Sequence, residues 1–190
     1  WVEPYAPLHF LKGTYQFIYS TDNRDGYKNL YLCDTLGTVR RLAQTDAEIS
    51  YEGNDGRYVY YSSAEVSPVE SHLFRVEVRQ GKGKQLERAR IGAPQRLTFE
   101  EGWHSVSLAP DCKFFIDKYS SFNSPGAVSL KSADGKTVKE LLSCSDPLNG
   151  YNTGEVRFGT VKSADGQYDN YYRMFLPAGF DPSKKYPVIL

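Results

Sequence analysis

Hydrolysis by a side-chain nucleophile needs the nucleophile, a base within hydrogen-bond reach and a third group that orients the base. Three histidines could be the base: His9, His72 and His104. His72 opens an alternating run after a polar turn, and His104 follows Trp103 at the start of another. No Ser has Gly both two residues before and two after it, the spacing that lifts a nucleophilic hydroxyl onto a strand-turn-helix bend. The histidines are therefore expected to be structural or superficial. Glu100-Glu101 is an adjacent carboxylate pair, but it falls between repeats, where a solvated turn is the simpler reading. Asp25-Gly26, Asp55-Gly56, Asp134-Gly135 and Asp165-Gly166 lack the alternating acidic ligands and closing Glu of a calcium loop, and read as hairpin turns. Cys33, Cys112 and Cys144 show no C-x-x-C spacing, and an odd count leaves at least one unpaired. The basic residues of Gln80–Ala93 are interrupted by Glu87 with no aromatic among them, which fits a solvated loop and not a nucleic-acid site. No catalytic, cofactor-binding or metal-binding residue is assigned.

The elements that would hold these residues are strands. Gly56–Val78 (GRYVYYSSAEVSPVESHLFRVEV) contains two alternating runs around a Ser67-Pro68 turn. In the second run Leu73, Arg75 and Glu77 share one face, and Phe74, Val76 and Val78 the other. Short alternating stretches of aromatic and β-branched residues bounded by turn chemistry predict an antiparallel hairpin. The hairpin recurs: Tyr15, Tyr58 and Phe114 are 43 and 56 residues apart, and Tyr31, Phe74 and Leu130 repeat both steps. The longer step is attributed to the Gln80–Ala93 insertion. A third strand recurs at Thr38–Leu42, Pro94–Thr98 and Thr137–Leu141, and a lead-in strand at Glu48–Tyr51 and Ser105–Leu108. Four short strands per repeat of forty-odd residues is the pattern of a β-propeller blade, although a β-sandwich also spaces short strands closely.

Composition agrees. Of 190 residues, 40% are hydrophobic and 14% aromatic, with 15 tyrosines, which favours ordered β structure. Lys+Arg and Asp+Glu both number 23, so no net field draws in nucleic acid or an acidic membrane. No apolar run approaches the length of a membrane span. The chain opens on Trp1 with no signal peptide in view, which suggests a piece of something longer.

In order, Trp1–Phe10 reads as a connection. Blades follow at Leu11 to about Gln44, about Asp46 to Phe99 and about Trp103 to Leu142. Ser143–Gly154 is a turn-rich linker. Glu155–Lys162 and Asp169–Pro177 are two further strands, and Tyr186–Leu190 (YPVIL) reads as the start of a strand buried on both faces. The expected fold is all-β: about three four-stranded antiparallel blades, then the first strands of another domain.

Several stretches carry a family resemblance. They are Asp25-Gly26-Tyr27 leading to Leu30-Tyr31, Tyr58–Ser62 ahead of Ser71–Val76 (SHLFRV), His104–Asp111 (HSVSLAPD), Asp117–Ser121 (DKYSS), Leu130–Gly135 (LKSADG) and Leu176–Val188 (LPAGFDPSKKYPV). Their order resembles the S9 prolyl oligopeptidase family of serine peptidases, most closely its dipeptidyl peptidase IV branch, over essentially the whole chain. The resemblance implies that residues 1–145 are the C-terminal blades of an eight-bladed propeller. It implies a linker at 146–154, and at 155–190 the first strands of a truncated α/β-hydrolase (peptidase) domain. Members remove N-terminal dipeptides with Pro or Ala second, using a Ser-His-Asp triad, and need no cofactor. By resemblance the triad and the oxyanion-hole tyrosine lie beyond Leu190, and the paired glutamates that hold the substrate amine lie before Trp1. The chain itself is then non-catalytic. A pocket-lining Phe-Arg segment of the family has no Arg counterpart in Glu3–Pro7 (EPYAP). The partner of the family cysteine matching Cys33 is missing from Gly37–Ala43, so that disulfide is not expected. Peptides with a free N-terminus are the implied substrates of the whole protein, in the periplasm or secreted. A tripeptidyl, acylaminoacyl or oligopeptidase of the same superfamily, and a non-catalytic propeller binding module, are the alternatives. Blades bury their faces against neighbours, so this chain alone is expected to self-associate.

Overall fold

Short alternating runs of Tyr, Val, Phe and Leu suit half-buried pleated surfaces, and such runs recur in the sheets of the described residues. The computed structural model describes residues 7–24, 26–80, 86–122 and 124–189. Among these there is no α-helix. Blade one is the antiparallel sheet β1 (His9–Phe10), β2 (Phe17–Thr21), β3 (Asn29–Cys33) and β4 (Val39–Arg41), paired in chain order. Blade two contains β5 (Ile49–Asn54), β6 (Tyr58–Ser63) and β7 (His72–Arg79), with β8 (Arg90–Ile91) and β9 (Gln95–Arg96) both pairing with β7. Blade three is β10 (Trp103–Leu108), β11 (Phe114–Ser121), β12 (Ser124–Ser132) and β13 (Thr137–Ser143). A separate hairpin joins β14 (Val156–Lys162) to β15 (Asp169–Phe175). The chain divides into two compact units, Trp1–Ser145 and Asp146–Leu190.

The predicted β6–β7 hairpin forms with Tyr61 opposite Phe74, their rings stacked at 5.4 Å. Its alternation places apolar residues on both sides of blade two. Val59, Tyr61, Phe74, Val76 and Val78 face blade one, in a core with Leu11, Ile18, Leu30, Leu32, Leu42 and Ile49. Tyr60 and Leu73 face blade three, in a smaller core with Leu97, Cys112 and Phe115. Each such side chain removed from water contributes about 1.5–3 kcal/mol, so the two cores, and not local propensity, hold the blades face to face.

The structure departs from the sequence expectations in three places. Blade one starts at β1, not Leu11, because Phe10 pairs with Phe17 and His9 with Ile18. Trp1–Ala6, the rest of the expected connection, lies outside the described residues, as does Asp25 of the first Asp-Gly turn. The insertion after β7 is not wholly solvated: a 3₁₀ turn at Leu86–Arg88 puts Leu86 and Ala89 into the larger core. Arg40 Nη1 caps this turn by donating to the carbonyls of Leu86 and Ala89. Finally, residues 186–189 form no strand, with Val188 and Ile189 80% and 97% exposed. An apolar run becomes a buried strand only beside sheet neighbours, and this one has none among the described residues.

Candidate functional site

The polar groups with chemical potential meet at the seam between blades two and three. Ser71 N–H donates to Gly102 O at 3.1 Å, and His104 N–H to Ser71 O at 2.9 Å. Backbone bonds therefore link the blades where His72 begins β7 and His104 lies in β10. The two rings sit 5.1 Å apart, both fully buried in side chain. Gly102 makes the approach possible. Its φ is +142°, and a Cβ there would lie 2.5 Å from Ser120 O.

The hydrogen bonds fix the tautomer of His72. Thr98 Oγ1 accepts from Leu73 N–H at 3.0 Å, leaving its own proton for His72 Nδ1 at 3.3 Å. Nε2–H then donates to Glu70 Oε2 at 2.7 Å. Arg96 Nη2 lies 3.0 and 3.3 Å from the two ring nitrogens and donates to Phe99 O. Burial pushes the His72 pKa down. Glu70 opposes this, while Arg96 and His104 add to it.

The order hydroxyl, imidazole, carboxylate in Thr98–His72–Glu70 is that of a nucleophile, its base and the orienting acid. It cannot act as one. Thr98 and His72 are both 0% exposed, so no scissile bond can reach the hydroxyl.

His104 is bound differently. Nδ1 lies 3.0 Å from both Asp117 carboxylate oxygens, and Nε2 lies 2.8 Å from Glu100 O. Both partners are acceptors only, so both ring nitrogens donate. Lys131 Nζ lies 2.9 Å from Asp117 Oδ2 and 3.4 Å from Glu100 Oε2. Cross-strand pairing explains the convergence. Phe115, Asp117 and Tyr119 share one face of β11; Tyr119 is opposite His104 and Phe115 opposite Lys131. Burial would raise the Asp117 pKa, but the bonds from His104 and Lys131 outweigh it and hold the carboxyl below its usual range. Two cations and two carboxylates meet here, which balances the charge of a buried cluster.

The structure thus brings His72 and His104 together and leaves His9 apart, its ring stacked on Tyr51 at 3.8 Å between blades one and two. Glu100 is more than a solvated turn: its side chain is 53% exposed, yet it joins the buried Lys131. Glu101 is exposed, and its carbonyl accepts the Tyr119 hydroxyl at 2.9 Å. Cys33 and Cys112 are buried and Cys144 exposed, all three free. Among the described residues no group of three His, Cys, Asp or Glu is placed to hold a metal ion.

Sequence reasoning missed Glu70, Thr98, Asp117 and Lys131. For Asp117 a signal existed, since it falls in step with Phe115 on the inward face of its strand. An ionisable residue there must find partners or cost several kcal/mol.

A second feature is apolar. Pro7, Leu8, Phe17, Tyr19, Cys33, Asp34, Gly37 and Val39 line an open groove of about 680 Å³ on the face of blade one turned away from blade two.

A family model described as the dipeptidyl peptidase IV (DPP IV) N-terminal region matches residues 1–126. The chain belongs to the DPP IV family. Human dipeptidyl peptidase 8 is 31% identical over 92% of the chain. Among solved structures, a candidate dipeptidyl aminopeptidase IV from Bacteroides ovatus superposes with a TM-score of 0.76 at 27% identity. The dipeptidyl peptidase 4 of Porphyromonas gingivalis superposes with a TM-score of 0.77 at 25% identity, and each structure covers 95% of the chain. The chain spans 22% of the human relative and 27% and 24% of the two bacterial proteins. The DPP IV-like propeller expected from the sequence is therefore the fold observed, and no helix among the described residues is long and apolar enough to cross a membrane.

Proposed function

We propose that this chain is a non-catalytic part of a DPP IV-like serine exopeptidase that removes N-terminal dipeptides, with Pro or Ala preferred second. Residues 1–145 would be propeller blades that gate and shape the active site, 146–154 a linker, and 155–190 the first strands of the peptidase domain. The observation that carries this reading is the family match over 1–126 in a chain spanning about a fifth of its human relative. Supporting it, His72 and His104 are committed to buried partners, and neither has a reachable hydroxyl. The substrate class, peptides with a free N-terminus, and a periplasmic or secreted location are carried by the family resemblance alone. The groove on blade one and the exposed Phe114, Val138 and Leu142 of blade three support self-association of the isolated chain.

The test extends the gene beyond Leu190 by about 200 codons, roughly a hydrolase domain, and assays both products on an Ala-Pro chromogenic amide. Turnover by the longer protein, abolished by replacing the Ser of a G-x-S-x-G elbow with Ala, is expected, with none from the 190-residue chain. A stop codon close behind Leu190, or turnover by the short chain, would overturn the reading.

A further inference from the structure

The seam between blades two and three holds a buried histidine, His72, next to the backbone bonds that join the blades. We propose that this seam is an acid-sensitive latch: protonation of His72 loosens blade three from blade two in mildly acidic solution. The inference uses only the geometry of this chain and survives failure of the peptidase reading.

Glu70, from the turn before β7, is the single anion in contact with the ring among the described residues, at 2.7 Å. From β9, Arg96 places a guanidinium nitrogen 3.0 Å away. From β10, His104 presents a ring whose two nitrogens both donate, 5.1 Å off. Behind it, Lys131 of β12 and Glu100 of the connecting segment pair with each other and with Asp117 and His104, so their charges are already spent. On the β6 side the cross-strand neighbour is Ser63, which is neutral. A proton added at Nδ1 would meet the Thr98 hydroxyl, which now donates there, and would make a third cation beside Arg96 and His104. Glu70 alone cannot offset two neighbouring cations beside a ring that is itself 0% exposed. The depressed His72 pKa agrees.

The seam can answer to that charge because its polar parts are contiguous. Thr98 also receives Leu73 N–H, Arg96 also binds the carbonyls of Thr98 and Phe99, and the interblade bonds run through Ser71, next to His72. Displacing the ring disturbs all three. The supporting apolar core is small, with five buried residues among those described.

The sign follows from linkage. With the folded His72 below the ordinary value of 6.5, an opened seam binds the proton first. Docking is therefore fully favoured above about pH 6.5 and is lost progressively as pH falls below it.

The experiment is amide hydrogen exchange on the full 190-residue chain at pH 7.5 and 5.5, corrected for intrinsic exchange, comparing Ser71, Leu73 and His104 with reference amides of β2 and β3. The expected result is a loss of protection at the seam on going to pH 5.5, with about tenfold as its ceiling for a single proton one pH unit below 6.5, and with the reference amides unchanged. His72→Gln keeps a donor toward Glu70 but cannot titrate, and should abolish the pH dependence. Arg96→Gln removes a repelling cation and should shrink the loss; it also serves if H72Q fails to fold. Seam protection independent of pH, or an equal loss in H72Q, would overturn the proposal. So would a His72 ring titrating at or above 6.5 by NMR.

Discussion

Asp117 shows how one residue can set the character of a junction. Its carboxylate is 1% exposed and accepts from both His104 and Lys131. Replacing it with Asn keeps the volume but removes the one fully buried anion from His104 and Lys131. Asp117→Asn should therefore cost about 3–5 kcal/mol by denaturant titration, the range for breaking one side of a buried ion pair. The same carboxylate gives the protein an acid limit distinct from that of His72. Its folded pKa lies below the ordinary Asp value of 3.8, so its contribution is complete above that value. It is lost as pH falls through 3.8 and below, where the unfolded chain takes up the proton first. A plot of stability against pH should show a second fall below pH 4 that D117N removes.

At the scale of elements, a buried anchor can hide in a polar stretch. Leu86 stands among Lys, Gln, Glu and Arg, so no periodicity reveals it, yet it is 1% exposed in the core shared by blades one and two. Leu86→Ala should cost about 2–5 kcal/mol, the range for a core Leu truncation, with exchange protection lost first around β8 and the end of β7. The contrast explains what could be read from sequence. The β6–β7 hairpin was legible because Tyr61, Phe74 and Val76 alternate with residues of a different face, a pattern that local geometry alone enforces. Blade three was legible for the same reason, and the equal offsets of its strands added a second, independent constraint. Leu86 and the His104–Asp117–Lys131 cluster were not, because their positions are settled by tertiary contacts across strands far apart in sequence. Tyr186–Ile189 has the composition of a buried strand, but composition supplies no sheet neighbours, and it forms no strand among the described residues.

For the whole molecule, blade two is the only blade with a described neighbour on each side. Blade one turns Leu8, Phe17 and Tyr19 outward around its groove, and β13 of blade three is exposed along its length. Free apolar faces and an open strand edge favour association between copies. Sedimentation of the 190-residue chain should show dimers or larger species whose fraction rises with concentration. A monodisperse monomer at tens of micromolar would contradict this.

The inequality of the two cores also gives the molecule a direction of mechanical weakness. Among the described residues, fourteen buried ones fasten blade one to blade two, and five, plus the charged cluster, fasten blade two to blade three. Stretched between Pro7 and Ser145, the propeller unit should not rupture all at once. Blade three should peel away at low force, and the remaining pair should yield later at a higher one.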